Sequence, residues 1–173
     1  MRAELLLLLA AVTASPAFAA GPTHTTQSAD PNAPKLLGRF EDWTAATHLE
    51  GGEVVCYAFT RATNSAPALP GRGDVVMTVA ERSTGRDSVA IAAGYTYPQG
   101  SEVTVQVDQS AVSFYTAQRS AFAREGGTVV ADFARGRQAI ARSPGPRGTP
   151  VVDTFSLRGF AQAHQAIARA CPR

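Results

Sequence analysis

The clearest period along the chain is two. From Glu102 to Val107, Val103, Val105 and Val107 alternate with Glu102, Thr104 and Gln106. That pattern puts one face of a strand in a core and the other in water. After Asp108-Gln109, Val112 and Phe114 carry the buried face through a second strand over 111–116. Between Glu53 and Thr60 both parities are apolar: Val54, Cys56 and Ala58 on one side, Val55, Tyr57 and Phe59 on the other. This predicts a central strand. Further strands are predicted over 74–82, 88–93, 138–142 and 151–157, with Ser83-Thr84-Gly85 as a hairpin turn. Tyr97-Pro98-Gln99-Gly100 fits a β-turn with Pro at its second position. Residues 120–124 fit neither period.

Helical spacing is rarer. Phe160, Ala163, His164, Ile167 and Cys171 follow i, i+3, i+4, i+7 and i+11, an apolar stripe on a helix over 159–170 that Pro172 ends. A short internal helix is predicted over Thr128–Arg135, closed by Gly136 in a left-handed cap. Stretches 64–73 and 143–150 are loops rich in Pro and Gly. Residues 20–37 carry no period and read as a flexible arm, with order beginning near Phe40 and Trp43. About eight short strands with one covering helix predict a mainly β fold, an antiparallel sandwich formed by a single domain over 38–173.

The first nineteen residues change the setting. Arg2, an apolar run from Leu5 to Ala14 and the small-x-small Ala17-Phe18-Ala19 form a secretory signal with cleavage before Ala20. The run is shorter than the roughly 18–20 apolar residues of a membrane span. The mature chain is therefore expected to be exported. In an oxidising compartment the two cysteines, Cys56 and Cys171, are most simply one disulfide. A redox or nucleophilic role is the alternative, but there is no Cys-x-x-Cys.

Composition sets limits. The chain has 173 residues, 45% of them apolar and 17% charged, which excludes wholesale disorder. A net charge of +2 excludes a polycation built to coat nucleic acid. His24, His48 and His164 are scattered without metal-ligand spacing, so no metal is expected. His164 has two readings, a hydrogen-bonded core histidine and a buried base; the first is preferred. Gly-x-Ser-x-Gly and the nucleotide-binding glycine motifs are absent, so no cofactor is expected. A triad from Ser143, Ser156, Asp153 and His164 is disfavoured, because strand and loop hydroxyls are common in sandwiches; no catalytic residue is assigned and the expected protein is non-enzymatic. Charge is uneven along the chain. Residues 20–116 carry six basic and ten acidic side chains, whereas 117–173 carry nine Arg and three acidic ones. Arg135, Arg137, Arg142 and Arg147 form the densest run and are candidate anion contacts. Arg72-Gly73-Asp74 is a candidate integrin-type tripeptide if its loop is exposed.

The series Tyr97-Pro98-Gln99-Gly100-Ser101-Glu102-Val103, Arg147-Gly148-Thr149, Asp153-Thr154-Phe155-Ser156-Leu157-Arg158-Gly159-Phe160 and Ala166-Ile167 before Cys171 resembles the invasion-associated locus B family. Phe40-Glu41-Asp42-Trp43 and Cys56 resemble its opening. The resemblance covers about residues 38–171. It implies an immunoglobulin-like sandwich exported to the periplasm or outer membrane and linked to host-cell invasion, without catalytic residues to carry over. The expected partner is a protein or an anionic glycan of the envelope or host surface. A periplasmic chaperone or envelope-maintenance factor is the alternative, and a hydrolase a weaker one. Many family members carry a further Cys shortly after the Trp; Thr44-Ala45-Ala46-Thr47 has none.

Overall fold

The computed structural model describes residue 30 and residues 32–172. The signal segment and most of the arm lie outside the described residues. The strands are β1 (Lys35–Phe40), β2 (Trp43–Glu50), β3 (Glu53–Arg61), β4 (Asn64–Ala66), β5 (Val76–Arg82), β6 (Gly85–Ala92), β7 (Glu102–Val107), β8 (Ser110–Ala117), β9 (Ser120–Ala123), β10 (Gln138–Pro144) and β11 (Pro150–Ser156). The helices are α1 (Gly126–Arg135) and α2 (Phe160–Ala170).

All strand pairs are antiparallel, in the order β1-β2-β3-β5-β6-β9-β8-β7-β10-β11-β4. β4 follows β3 after two residues, yet it pairs with β11 at the far end of that order. The sheet must therefore bend back on itself, and its inner faces form a sandwich-like core. Met77, Val79, Ile91, Val103, Val105, Phe114 and Phe155 are buried there.

α2 lies over β1, β2 and β3, and α1 over β6. Phe160 anchors the helical layer. Its ring stands 4.8 Å from Trp43 and 5.4 Å from Phe133, both edge-on. Full burial of a side chain like Phe160 or Ile167 is worth about 1.5–3 kcal/mol each. Trp43 Nε1 donates to the Ser156 carbonyl at 3.0 Å, so the ring is satisfied as well as packed. Gly159 opens α2 with φ 83, and a Cβ there would overlap the Phe40 carbonyl oxygen. Only glycine lets the chain turn into the helix that close to β1.

Several expectations need correction. The internal helix begins at Gly126, two residues early, and Gly136 is extended (φ −79, ψ 166) rather than left-handed. Its small size is used instead for packing, because a Cβ would strike Val107. The turn before β7 is displaced by one residue: Ser101 N–H donates to the Pro98 carbonyl at 3.2 Å, so Pro98 is its first position. Strand β1 begins at Lys35, inside the predicted arm, and Asn64–Ala66 is a strand inside a predicted loop. Residues 120–123 are a strand.

Candidate functional site

The hairpin of β5 and β6 carries a bulge. Ala80 pairs with Ser88 and Arg82 with Gly85, so Glu81 alone faces both Arg86 and Asp87. Asp87 absorbs the extra residue with φ 52, a left-handed conformation that Asp tolerates better than most residues. Two consecutive charged side chains are thereby directed at one buried carboxylate. Across the sheet Cys56 is the register partner of Glu81. From above, His164 reaches down from α2.

Glu81 is 1% exposed; Asp87, Arg86 and His164 are about a quarter exposed (29%, 27% and 25%). His164 Nε2 lies 3.0 Å from Asp87 Oδ1 and 3.3 Å from Glu81 Oε1. Arg86 Nε lies 2.5 Å from Glu81 Oε2. That contact is an ion pair without an aligned hydrogen bond, since Oε2 has no hydrogen-bond partner. Arg86 Nη1 donates to the Cys171 carbonyl. Burial, and then the neighbouring Asp87, push Glu81 above the ordinary carboxylate range, while Arg86 pulls it back down. Cys56 and Cys171 are bonded, with Cα atoms 5.9 Å apart. The ion cluster therefore fastens the middle of α2 to the sheet, and the disulfide fastens its C-terminal end.

His164 is a hydrogen-bonded histidine, as expected, but its partners are carboxylates from two other elements. None of the residues weighed for a triad meets it. Ser143 bonds Tyr95, Ser156 bonds Asp42, and Asp153 bonds Arg72.

A second polar network is fully internal. Arg72 Nη1 and Nη2 each donate to Asp153 at 2.8 Å, and Arg72 Nε donates to the Ala93 carbonyl at 2.7 Å. The side chains of Arg72 and Asp153 are 6% and 2% exposed. Ser65 donates to Asp153 at 2.7 Å, and the Arg72 guanidinium stacks over Tyr95. This corrects the integrin-type reading. The Arg72-Gly73-Asp74 loop spends its arginine inside the fold, and Asp74 pairs with Arg61.

Burial raises the hydroxyl pKa of Tyr95 and, more strongly, of Tyr97. Folding therefore favours the neutral phenols. Their contribution to stability is complete below the ordinary tyrosine pKa near 10 and is lost as pH rises through the higher folded values. We expect stability to fall above about pH 10, and Tyr97→Phe to flatten that fall. Phenolate absorbance and circular dichroism in one alkaline titration check this. Ionisation of both rings well before unfolding would contradict it.

The arginine run does not gather into a patch. Arg135 is exposed and pairs with Asp132 at 2.8 Å. Arg137 follows α1. Arg142 lies midway along β10, donating to Gln106 at 2.9 Å, and Arg147 sits at the β10–β11 tip with φ 57. At about 3.3 Å per extended residue, Arg137 and Arg142 are roughly 16 Å apart. Only Arg142 and Arg147 share one end of a hairpin.

Together these features define a small, disulfide-bonded antiparallel β-sandwich with a C-terminal helix clamped across its sheet. The chain belongs to the invasion associated locus B (IalB) family, whose model matches residues 43–168. Among solved structures it is similar to invasion associated protein B from Bartonella henselae, with 19% identity and a TM-score of 0.54. That match covers 77% of this chain and 95% of the other, and it shows a shared fold. None of the curated proteins searched is similar to it.

Proposed function

We propose that the protein is exported and acts as a non-enzymatic binding module of the bacterial envelope or cell surface, with a contribution to host-cell contact. Its partner is a protein or an anionic glycan. The disulfide between Cys56 and Cys171 carries the export part of this reading, because such bonds persist in oxidising compartments. Family membership supports the rest. Its buried Arg72–Asp153 pair is committed to holding elements together, so recognition of a macromolecular partner falls to the surface loops. The β10–β11 hairpin is favoured, since Arg142 on β10 and Arg147 at its tip are both exposed.

Replacing both with Ala is expected to lower retention on a sulfated glycan column several-fold while circular dichroism stays unchanged. Unchanged retention would overturn the assignment of the hairpin. An envelope chaperone is the second reading. Among the described residues β1 is an unpaired end of the sheet, and Leu36 beside that edge is 60% exposed. An open edge accepts an added strand. In a pull-down from envelope extracts, Leu36→Lys would abolish capture of envelope proteins under the chaperone reading and leave it unaffected under the glycan reading.

A further inference from the structure

We infer that Glu81, Asp87 and His164 form a binding site for one divalent transition-metal ion, with zinc the best match. The donor set is one imidazole nitrogen and two carboxylate oxygens, whose ligand atoms all lie within 4.8 Å of one another. Tetrahedral zinc holds N and O ligands at about 2.0–2.2 Å, which sets ligand atoms roughly 3.3–3.6 Å apart. The His164 nitrogen is already 3.0 Å and 3.3 Å from the two oxygens. Small shifts suffice to admit an ion between them.

A second observation separates this trio from an ordinary acidic cluster. Glu81 is wholly buried, held at a β-bulge, and its Oε2 makes no hydrogen bond. A wholly buried carboxylate is costly unless cations neutralise it. Arg86 supplies half of the answer. It faces Oε2, leaving Oε1 to point at His164. With a metal on Oε1, Arg86 becomes the outer partner that orients a ligating carboxylate. His164 is fixed in turn by stacking on Phe160, with ring centroids 5.6 Å apart. Asp87 and His164 remain partly exposed, which gives the ion a path in and leaves a coordination position for water. The imidazole argues for zinc over calcium or magnesium, which prefer all-oxygen shells.

The proposal is independent of the surface-binding reading. If it holds, the metal, the disulfide and α2 form one clamp at the C-terminal end of the domain. The test uses the full exported chain, without a histidine tag, after chelator treatment. Zinc is titrated against a chromophoric chelator, and cobalt is used for its visible spectrum. We expect one saturable equivalent, a cobalt spectrum of tetrahedral type and a raised melting temperature. Asp87→Asn keeps a residue that tolerates the positive φ, and His164→Gln keeps a polar side chain. Each is expected to weaken binding at least tenfold with the fold intact by circular dichroism. His48→Gln, at the other His–carboxylate contact (3.7 Å from Glu50), is expected to change nothing. Absence of saturable binding by the wild type, or binding that survives Asp87→Asn and His164→Gln together, would overturn the proposal. In that case His164 only bridges the two carboxylates through its Nε2 contacts.

Discussion

Removing the Cys56–Cys171 bridge is expected to lower the unfolding free energy by about 5 kcal/mol. The bond joins residues 115 apart in sequence, so it closes most of the domain into one loop. In the chain-entropy account a loop of that order contributes about 4.7 kcal/mol by restricting the unfolded chain. Small domains have only about 5–15 kcal/mol in total. The melting temperature should drop by on the order of 15 °C. Cys56 is wholly buried, so the paired substitution to Ala avoids placing a new hydroxyl in the core. Urea melts of the wild type, the reduced wild type and the double variant check the prediction. The steeper urea dependence of a less compact unfolded state should accompany it. A loss below about 1 kcal/mol would mean that Arg86 and His164 hold α2 without the covalent bond.

The sequence made some of this visible, and physics explains the rest. β7 was legible residue by residue, because it is half buried and its alternation is strict. α2 was legible because its stripe ends in a cysteine that has one possible partner. β1 and β2 were not. β1 has no buried residue to set a period, and in β2 the inward Trp43 and Ala45 are joined by the adjacent buried Ala46, so alternation is blurred by small residues. β4 has three residues, too few for any period. The Glu81 cluster left no spacing signal. Its members are brought from β5, β6 and α2, and the bulge that aligns Arg86 with Asp87 is a feature of pairing rather than composition. The arginines misled in both directions. Arg72 lies in a loop, where charge defaults to solvent, yet it is buried. One clue was available: Asp153 alternates with Val151 and Phe155, both buried, which places a carboxylate on the core side and calls for a cation.

That pair leads to the second large expected effect. Asp153→Ala leaves the Arg72 guanidinium buried against Ala93 and Tyr95 without its counter-charge. Breaking a buried pair from one side costs about 3–5 kcal/mol, and Arg72→Ala should cost a similar amount. The double variant Arg72→Met/Asp153→Leu removes both charges and keeps volume. It should be less destabilised than either single variant, with a coupling energy above about 2 kcal/mol in a double-mutant cycle. Arg72→Lys should fail to rescue, since an ammonium cannot make the two parallel bonds to Asp153. Near-additive single effects, or losses under about 1 kcal/mol, would contradict this account. Location gives the pair its leverage. Asp153 sits on β11 opposite Ser65 of β4, and Arg72 belongs to the loop that follows β4. Breaking the pair should first release β4 from β11, seen as faster amide exchange at Thr63 and at the β4–β11 ladder. Because β4 runs on from β3 and pairs with β11 at the far end of the sheet, loss of this contact loosens the seam along which the sandwich closes.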